Sequence, residues 1–236
     1  MAMESAKAGT TETWMLPALQ TRSRERRDRL LKAGEQVFAT RGFADTHISE
    51  IVAAAGCSTG SFYRRFKDKE ALFLALQEEM HQQARAKIDK FFSNPACDTK
   101  PLTQIFYRLI ENSDRDAMRI KGYYRALFEL SLRGRHVWDR MRDLERYQAE
   151  HIEKLLIKRG MRNLRPDLVP TITLMLRMLA GAQLSLMLHG PDMFKRTADD
   201  VHREYTRVLM TTAGLAIDEE ILCATGTRSN GTPSSR

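Results

Sequence analysis

The chain has 236 residues, 42% hydrophobic and 29% charged, with 38 Lys+Arg against 30 Asp+Glu for a formal charge of +8. That composition allows one large or two modest folded domains. It excludes a polar disordered chain and a disulfide-stapled miniature, because only three cysteines occur and none has CxxC spacing.

The basic excess is concentrated. Between Arg22 and Lys69, eleven cations stand against six carboxylates, the electrostatic footprint of a nucleic-acid-binding head. Residues 1–20 are polar and lack the apolar run of a secretory signal, so a disordered extension on a reduced, cytoplasmic protein is expected. Apolar residues then recur at helical spacing almost throughout, and the expected class is all-α.

A first helix is expected over 22–40, with Leu30, Leu31, Gly34, Val37 and Phe38 on one stripe and Gly42 as its stop. Its start, TRSRERRDR, has two open readings. It is an arm reaching DNA, or an exposed helix start in which Arg24 and Asp28 pair at i, i+4. A second, short helix follows Thr46 as N-cap and turns Ile48, Ile51, Val52 and Ala55 inward. Gly56 breaks it. A third spans 58–66, with Phe62 and Phe66 on a common face, and a fourth runs from 68 to 92 with Leu72, Leu76 and Met80 inside.

Two short helices around Gly56 make either a helix-turn-helix or an ordinary helical hairpin. The outward residues of the third helix favour the former. Ser58, Thr59, Gly60, Ser61, Arg64 and Arg65 are small, polar or cationic, and no carboxylate lies between Ser58 and Lys67. Small residues at a helix start let backbone approach phosphate. Hydroxyls bond phosphates or base edges, and Arg grips guanine bidentately.

From about 30 to 76 the sequence resembles the DNA-binding head of the TetR family. The matching features are LLKAGEQVFATRGF, Thr46, Ile51, AGCSTGSFYRRF and KDKEAL, with Val52 standing where the family commonly has Ala. The resemblance implies that Thr46 and His47 face phosphate and that Ser58, Thr59, Gly60 and Ser61 open the recognition helix. It further implies that Tyr63 donates to phosphate, that Arg64 and Arg65 reach bases or phosphates, and that Lys69 clamps the DNA backbone. A core role for Tyr63 and a solvated one for Lys69 stay open.

After a break at 94–100, further helices are expected over 101–112, 114–132, 135–158, 167–189 and 198–215, with a stop at Gly190 and Pro191 and a disordered tail over 225–236. The longest apolar stretch, 174–188, is interrupted by Arg177 and Gln183 and reads as too short to span a membrane. The helix over 167–189 is apolar nearly all round and needs cover on every side, from a partner or from its own domain. The resemblance implies a four-helix homodimer interface of this helix and the last one, for which Leu174, Met178, Gly181, Ser185, Leu188, Tyr205 and Leu209 are candidates.

Phe106, Tyr107, Tyr123, Tyr124, Phe128, Trp138 and Met141 are candidates for a ligand pocket and equally for core. Arg177, the only charge in its helix, would bind an anionic ligand or pair with a carboxylate. No phosphate loop, nucleophile elbow or HExxH occurs, and the six histidines lack metal-ligand spacing. Neither an enzyme nor a cofactor protein is expected.

The expected organisation is a three-helix DNA-binding head over 21–68 and a larger ligand-binding and dimerisation body over 69–224. Its expected partners are a double-stranded operator, a small-molecule effector and a second copy, with no membrane. The expected function is a ligand-responsive repressor; an activator, or a ligand-independent DNA binder of the same fold, is the alternative.

Overall fold

The computed structural model describes the backbone of residues 17–189 and 197–226. The expectations for residues before 17, for the stop at 190–191 and for the tail beyond 226 lie outside the described residues. Among those described there are eleven helices and no strand: α1 (Pro17–Arg41), α2 (Ile48–Ala54), α3 (Thr59–Tyr63), α4 (Lys69–Phe92), α5 (Ala96–Thr99), α6 (Leu102–Arg119), α7 (Lys121–Leu132), α8 (Asp139–Lys158), α9 (Leu168–His189), α10 (Ala198–Thr212) and α11 (Glu219–Gly226). The class is all-α, with an N-terminal helix-turn-helix followed by a larger helical body.

Several boundaries differ from expectation for local reasons. α1 starts at Pro17, five residues early, because a first-turn proline lacks only an N–H that would be unpaired anyway. It stops at Gly42, whose N–H reaches the Phe38 carbonyl at 2.9 Å. The N-cap of α2 is His47 rather than Thr46. Thr46 is buried and donates its hydroxyl to the Gly42 carbonyl at 2.5 Å. The break expected near Ser113 is absent, because the Ser113 hydroxyl donates back to the Leu109 carbonyl at 2.9 Å and the helix continues to Arg119. α11 was not expected. Asp218 starts it, accepting from the Ile221 N–H at 3.0 Å, and Leu222 is fully buried beneath it.

Two cores organise the chain. The first gathers Leu30, Phe38, Ile51, Phe62, Phe66, Leu72 and Phe73 from α1 to α4, and also Tyr123, Leu127 and Leu130 from α7. The Phe73 and Tyr123 rings stack at 5.6 Å. α7 approaches α1 at Gly122, where a Cβ would lie 2.2 Å from the Glu35 carbonyl oxygen, so only glycine fits. The second core joins Phe106, Ile152, Leu156, Ile172, Leu209 and Met210 from α6, α8, α9 and α10.

α4, 24 residues and about 36 Å long, runs from one core to the other. Its seam with α8 is polar. Asp143 lies against His81 and accepts from Arg146 and Arg85, each at 2.9 Å, and these partners, His81 foremost, hold its carboxyl below the usual range.

α9 is longer in apolar terms than expected: Leu168–Leu186 is long and apolar enough to cross a membrane by length and composition. Its one charge is matched within the bundle, where Arg177 donates to Glu145 of α8 at 2.8 and 2.9 Å. One flank packs on α8 and another on α10.

Candidate nucleic-acid interface

The turn between α2 and α3 passes through Gly56 at φ +58°, a conformation that a side chain resists. Ser58 then caps α3, its hydroxyl accepting from the Ser61 N–H at 3.2 Å. Phe62 is fully buried and Phe66 nearly so, which anchors α3 by its inner face. Each ring contributes about 2–3 kcal/mol of burial. The opposite face stays free. Ser58, Thr59, Gly60, Tyr63 and Arg64 are exposed, with Tyr63 edge-on to Phe62 at 5.5 Å. His47, at the start of α2, is exposed as well.

The remaining expected contacts sit differently. Ser61 is buried, and its hydroxyl lies between Ser58 and an Arg64 guanidinium nitrogen, each at 3.1 Å. It therefore positions Arg64 and does not itself face outward. Arg65 is folded back, donating to the Ser61 carbonyl at 2.9 Å and to the Ser23 hydroxyl of α1 at 3.2 Å. Ser23, 42 residues away, carries no sequence signal for this contact.

Thr46 is buried, so its hydroxyl has no path to a phosphate. Lys69 donates to the carbonyls of Phe43, Ala44 and Thr46 at 2.7, 2.8 and 2.9 Å. Its ammonium secures the α1–α2 turn, and partial burial lowers its pKa.

The aromatic candidates in the body divide between the two cores, with Tyr123, Tyr124, Trp138 and Met141 gathered at the first and Phe106 in the second. Phe128 is exposed. Tyr107 donates its hydroxyl to Asp199 of α10. Arg177 answers Glu145, which burial pushes above the usual carboxylate range.

Two clefts open at the C-terminal end of α4. One of about 320 Å³ is lined by residues including Phe91, Cys97, Gln104, Ile105 and Arg108, and one of about 280 Å³ by residues including Phe92, His151, Lys154 and Leu155.

Of the dimer candidates, Leu174, Met178 and Gly181 are exposed on one face of α9, and Ser185 and Tyr205 are half-buried. Leu209 is fully buried in the second core; the exposed neighbour on α10 is Val208. The Leu188 side chain lies outside the described residues.

Residues 30–76 match the family model for bacterial regulatory proteins of the tetR family. The Bacillus subtilis HTH-type transcriptional regulator YdgC is 32% identical over 112 residues, which cover 45% of this chain and 57% of that protein. The Pseudomonas putida HTH-type transcriptional regulator TtgR is 31% identical over 101 residues, covering 41% and 48%. The chain thus spans about half the length of these curated relatives.

Two solved structures share the fold. SmeT, the repressor of the Stenotrophomonas maltophilia multidrug efflux pump SmeDEF, has a TM-score of 0.57 at 20% identity, over 83% of this chain and 92% of its own. RolR in complex with resorcinol has a TM-score of 0.56 at 19% identity, over 91% and 98%.

Proposed function

We propose that residues 30–76, which match the family model for bacterial regulatory proteins of the tetR family, are a DNA-binding head, and that the chain is a transcriptional repressor that occupies a near-palindromic operator as a homodimer and leaves it when a small molecule binds the body. DNA contact is assigned to 21–68, and effector and dimer contacts to 69–224. The carrying observation is the outer face of α3, where Ser58, Thr59, Gly60, Tyr63 and Arg64 stand exposed with no carboxylate between 58 and 67. Such a face suits the major groove. A bidentate Arg–guanine contact there is worth about 1–3 kcal/mol of discrimination.

The homodimer reading is supported by Leu174, Met178 and Val208, three large apolar side chains left exposed on α9 and α10. Gly181 beside them admits close helix approach. A two-fold pair would set two recognition helices about 34–36 Å apart, one helical turn of DNA.

For the effector, the cleft of about 320 Å³ beside Phe91 is the candidate site. Phe91 lies in the last turn of α4, and Lys69 at the other end of that helix holds the head's first turn. A ligand that shifts α4 would change the head's placement and lower operator affinity.

Selection of bound sequences from a random duplex pool tests the reading. A near-palindrome with half-sites one turn apart is expected; recovery of no enriched sequence would refute it.

A further inference from the structure

We propose that the leading turns of α1 form a second DNA-contacting element, in which Arg22, Arg26 and Arg29 hold the phosphate backbone beside the groove that α3 enters. The proposal rests on α3 being the recognition helix and extends the interface beyond it.

Three observations carry it. The first is regular structure. α1 is one continuous helix from Pro17, so residues 22–29 are helical. At about 100° per residue, Arg22, Arg26 and Arg29 fall within a sector of about 60°. Leu30, Leu31, Gly34 and Phe38 point elsewhere, and of these Leu30, Leu31 and Phe38 supply the first core.

The second is orientation. Ser23 accepts from Arg65, the residue just past the end of α3, at 3.2 Å. Arg27 reaches Glu79 of α4 at 3.3 Å. Around the α1 axis, Arg27 lies about 40° beyond Ser23, and the Arg22–Arg26–Arg29 stripe lies on the other side of Ser23. The stripe therefore lies on the side of Ser23 away from α4, flanking the Arg65 contact at the end of α3.

The third is charge. Arg22, Arg26 and Arg29 are exposed, and none forms an ion pair among the described residues. Nearby carboxylates do not neutralise them. Asp28 takes Arg27 at 3.4 Å, so the Arg24–Asp28 pair of a self-satisfied helix start is not formed. Glu25, the remaining carboxylate of this stretch, has no ion-pair partner among the described residues. A solvated face would be expected to use its i, i+4 opportunities; this one leaves three guanidinium groups in a row. Phosphates at helical-groove spacing are the polyanion that fits, and Arg binds them bidentately.

The test uses the full chain with Arg22→Gln, Arg26→Gln and Arg29→Gln combined, a change that glutamine's helix propensity tolerates. Binding to the selected operator and to an unrelated duplex is measured by fluorescence anisotropy across a salt series. Each lost phosphate contact lowers the slope of log affinity against log salt by about 0.9, so a fall of about 2–3 per head is expected. The loss should be equal on both duplexes, because phosphates carry no sequence information.

An unchanged slope in the triple variant, with Arg64→Ala still weakening the operator, would overturn the arm and leave α3 standing. If Arg64→Ala is also without effect, the reading of α3 fails first. Arg26→Gln alone, expected to lower the slope by about one per head, decides the matter if the triple variant does not fold.

Discussion

The Lys69 ammonium lies 2.7 Å from the Phe43 carbonyl oxygen, and the Phe43 ring sits 4.9 Å beneath the same nitrogen. Two further carbonyls, of Ala44 and Thr46, take its other protons. From the opposite side, Glu129 of α7 accepts from the Ala44 N–H at 2.8 Å, and Arg125 donates to the Ala39 and Thr40 carbonyls. The turn that sets α2, and through it α3, is thus gripped by α4 and by α7.

Lys69→Met should therefore lower stability and DNA binding together. Losing charge-assisted bonds to backbone carbonyls costs about 2 kcal/mol, a fall in Tm of about 4–8 °C for a chain of this size. Thermal unfolding and operator titration check it. Weakened DNA binding at an unchanged Tm would return Lys69 to a direct phosphate contact.

Ser58→Ala removes the cap of a helix only five residues long. A cost of about 1 kcal/mol is expected, together with operator affinity lost more steeply than overall stability, because α3 has no second turn to keep its start in place. Hydrogen exchange at the Ser61 and Phe62 amides reads this directly. Exchange as slow as in the parent chain would show that the cap contributes nothing.

Arg177→Ala leaves Glu145 buried without its partner. Burial already raises the Glu145 pKa, and Arg177 pulls it down again. A carboxyl with a raised folded pKa is unpenalised while protonated, at pH below about 4, and stability is lost as pH rises through the folded value. The variant should match the parent in denaturant near pH 4 and lose about 1–2 kcal/mol at pH 7. This is less than for a fully buried pair, because Arg177 keeps 49% of its side chain exposed. A loss independent of pH would contradict the assignment.

Leu174→Glu with Met178→Glu places two charges on the bare face of α9. Sedimentation should show a monomer with unchanged helix content, and binding to the two-half-site operator should fall at least to the level of a single half-site. A variant that stays dimeric would move the interface elsewhere.

The head was legible because its signals are local. Phe62 and Phe66 at helical spacing, Gly56 between them and Ile51, and an acid-free outer face are fixed by neighbours in sequence. What sequence reasoning missed depends on partners far away. Nothing near Lys69 announces that three carbonyls at 43, 44 and 46 surround it. Arg65 gives no hint that it will turn back to Ser23. Thr46 has the residue type that favours a cap, yet His47 takes that position, since Thr46 is buried and faces inward to Gly42.

The division of the body's aromatic candidates between two cores was hidden for the same reason. Phe106 and Tyr123 are both core-sized rings, and only the packing of α6 against α10 and of α7 against α1 assigns them to different cores. For α11 a usable signal was present: Asp218 followed by Glu219 and Glu220 is a helix start.

Guanine N7 methylation protection on the selected operator tests the recognition surface of α3 most directly, because N7 lies in the major groove. Two protected clusters about one helical turn apart are expected, with Arg64→Ala restoring reactivity at one guanine in each half-site. Guanines left reactive throughout the bound operator, or a pattern that Arg64→Ala leaves untouched, would contradict it.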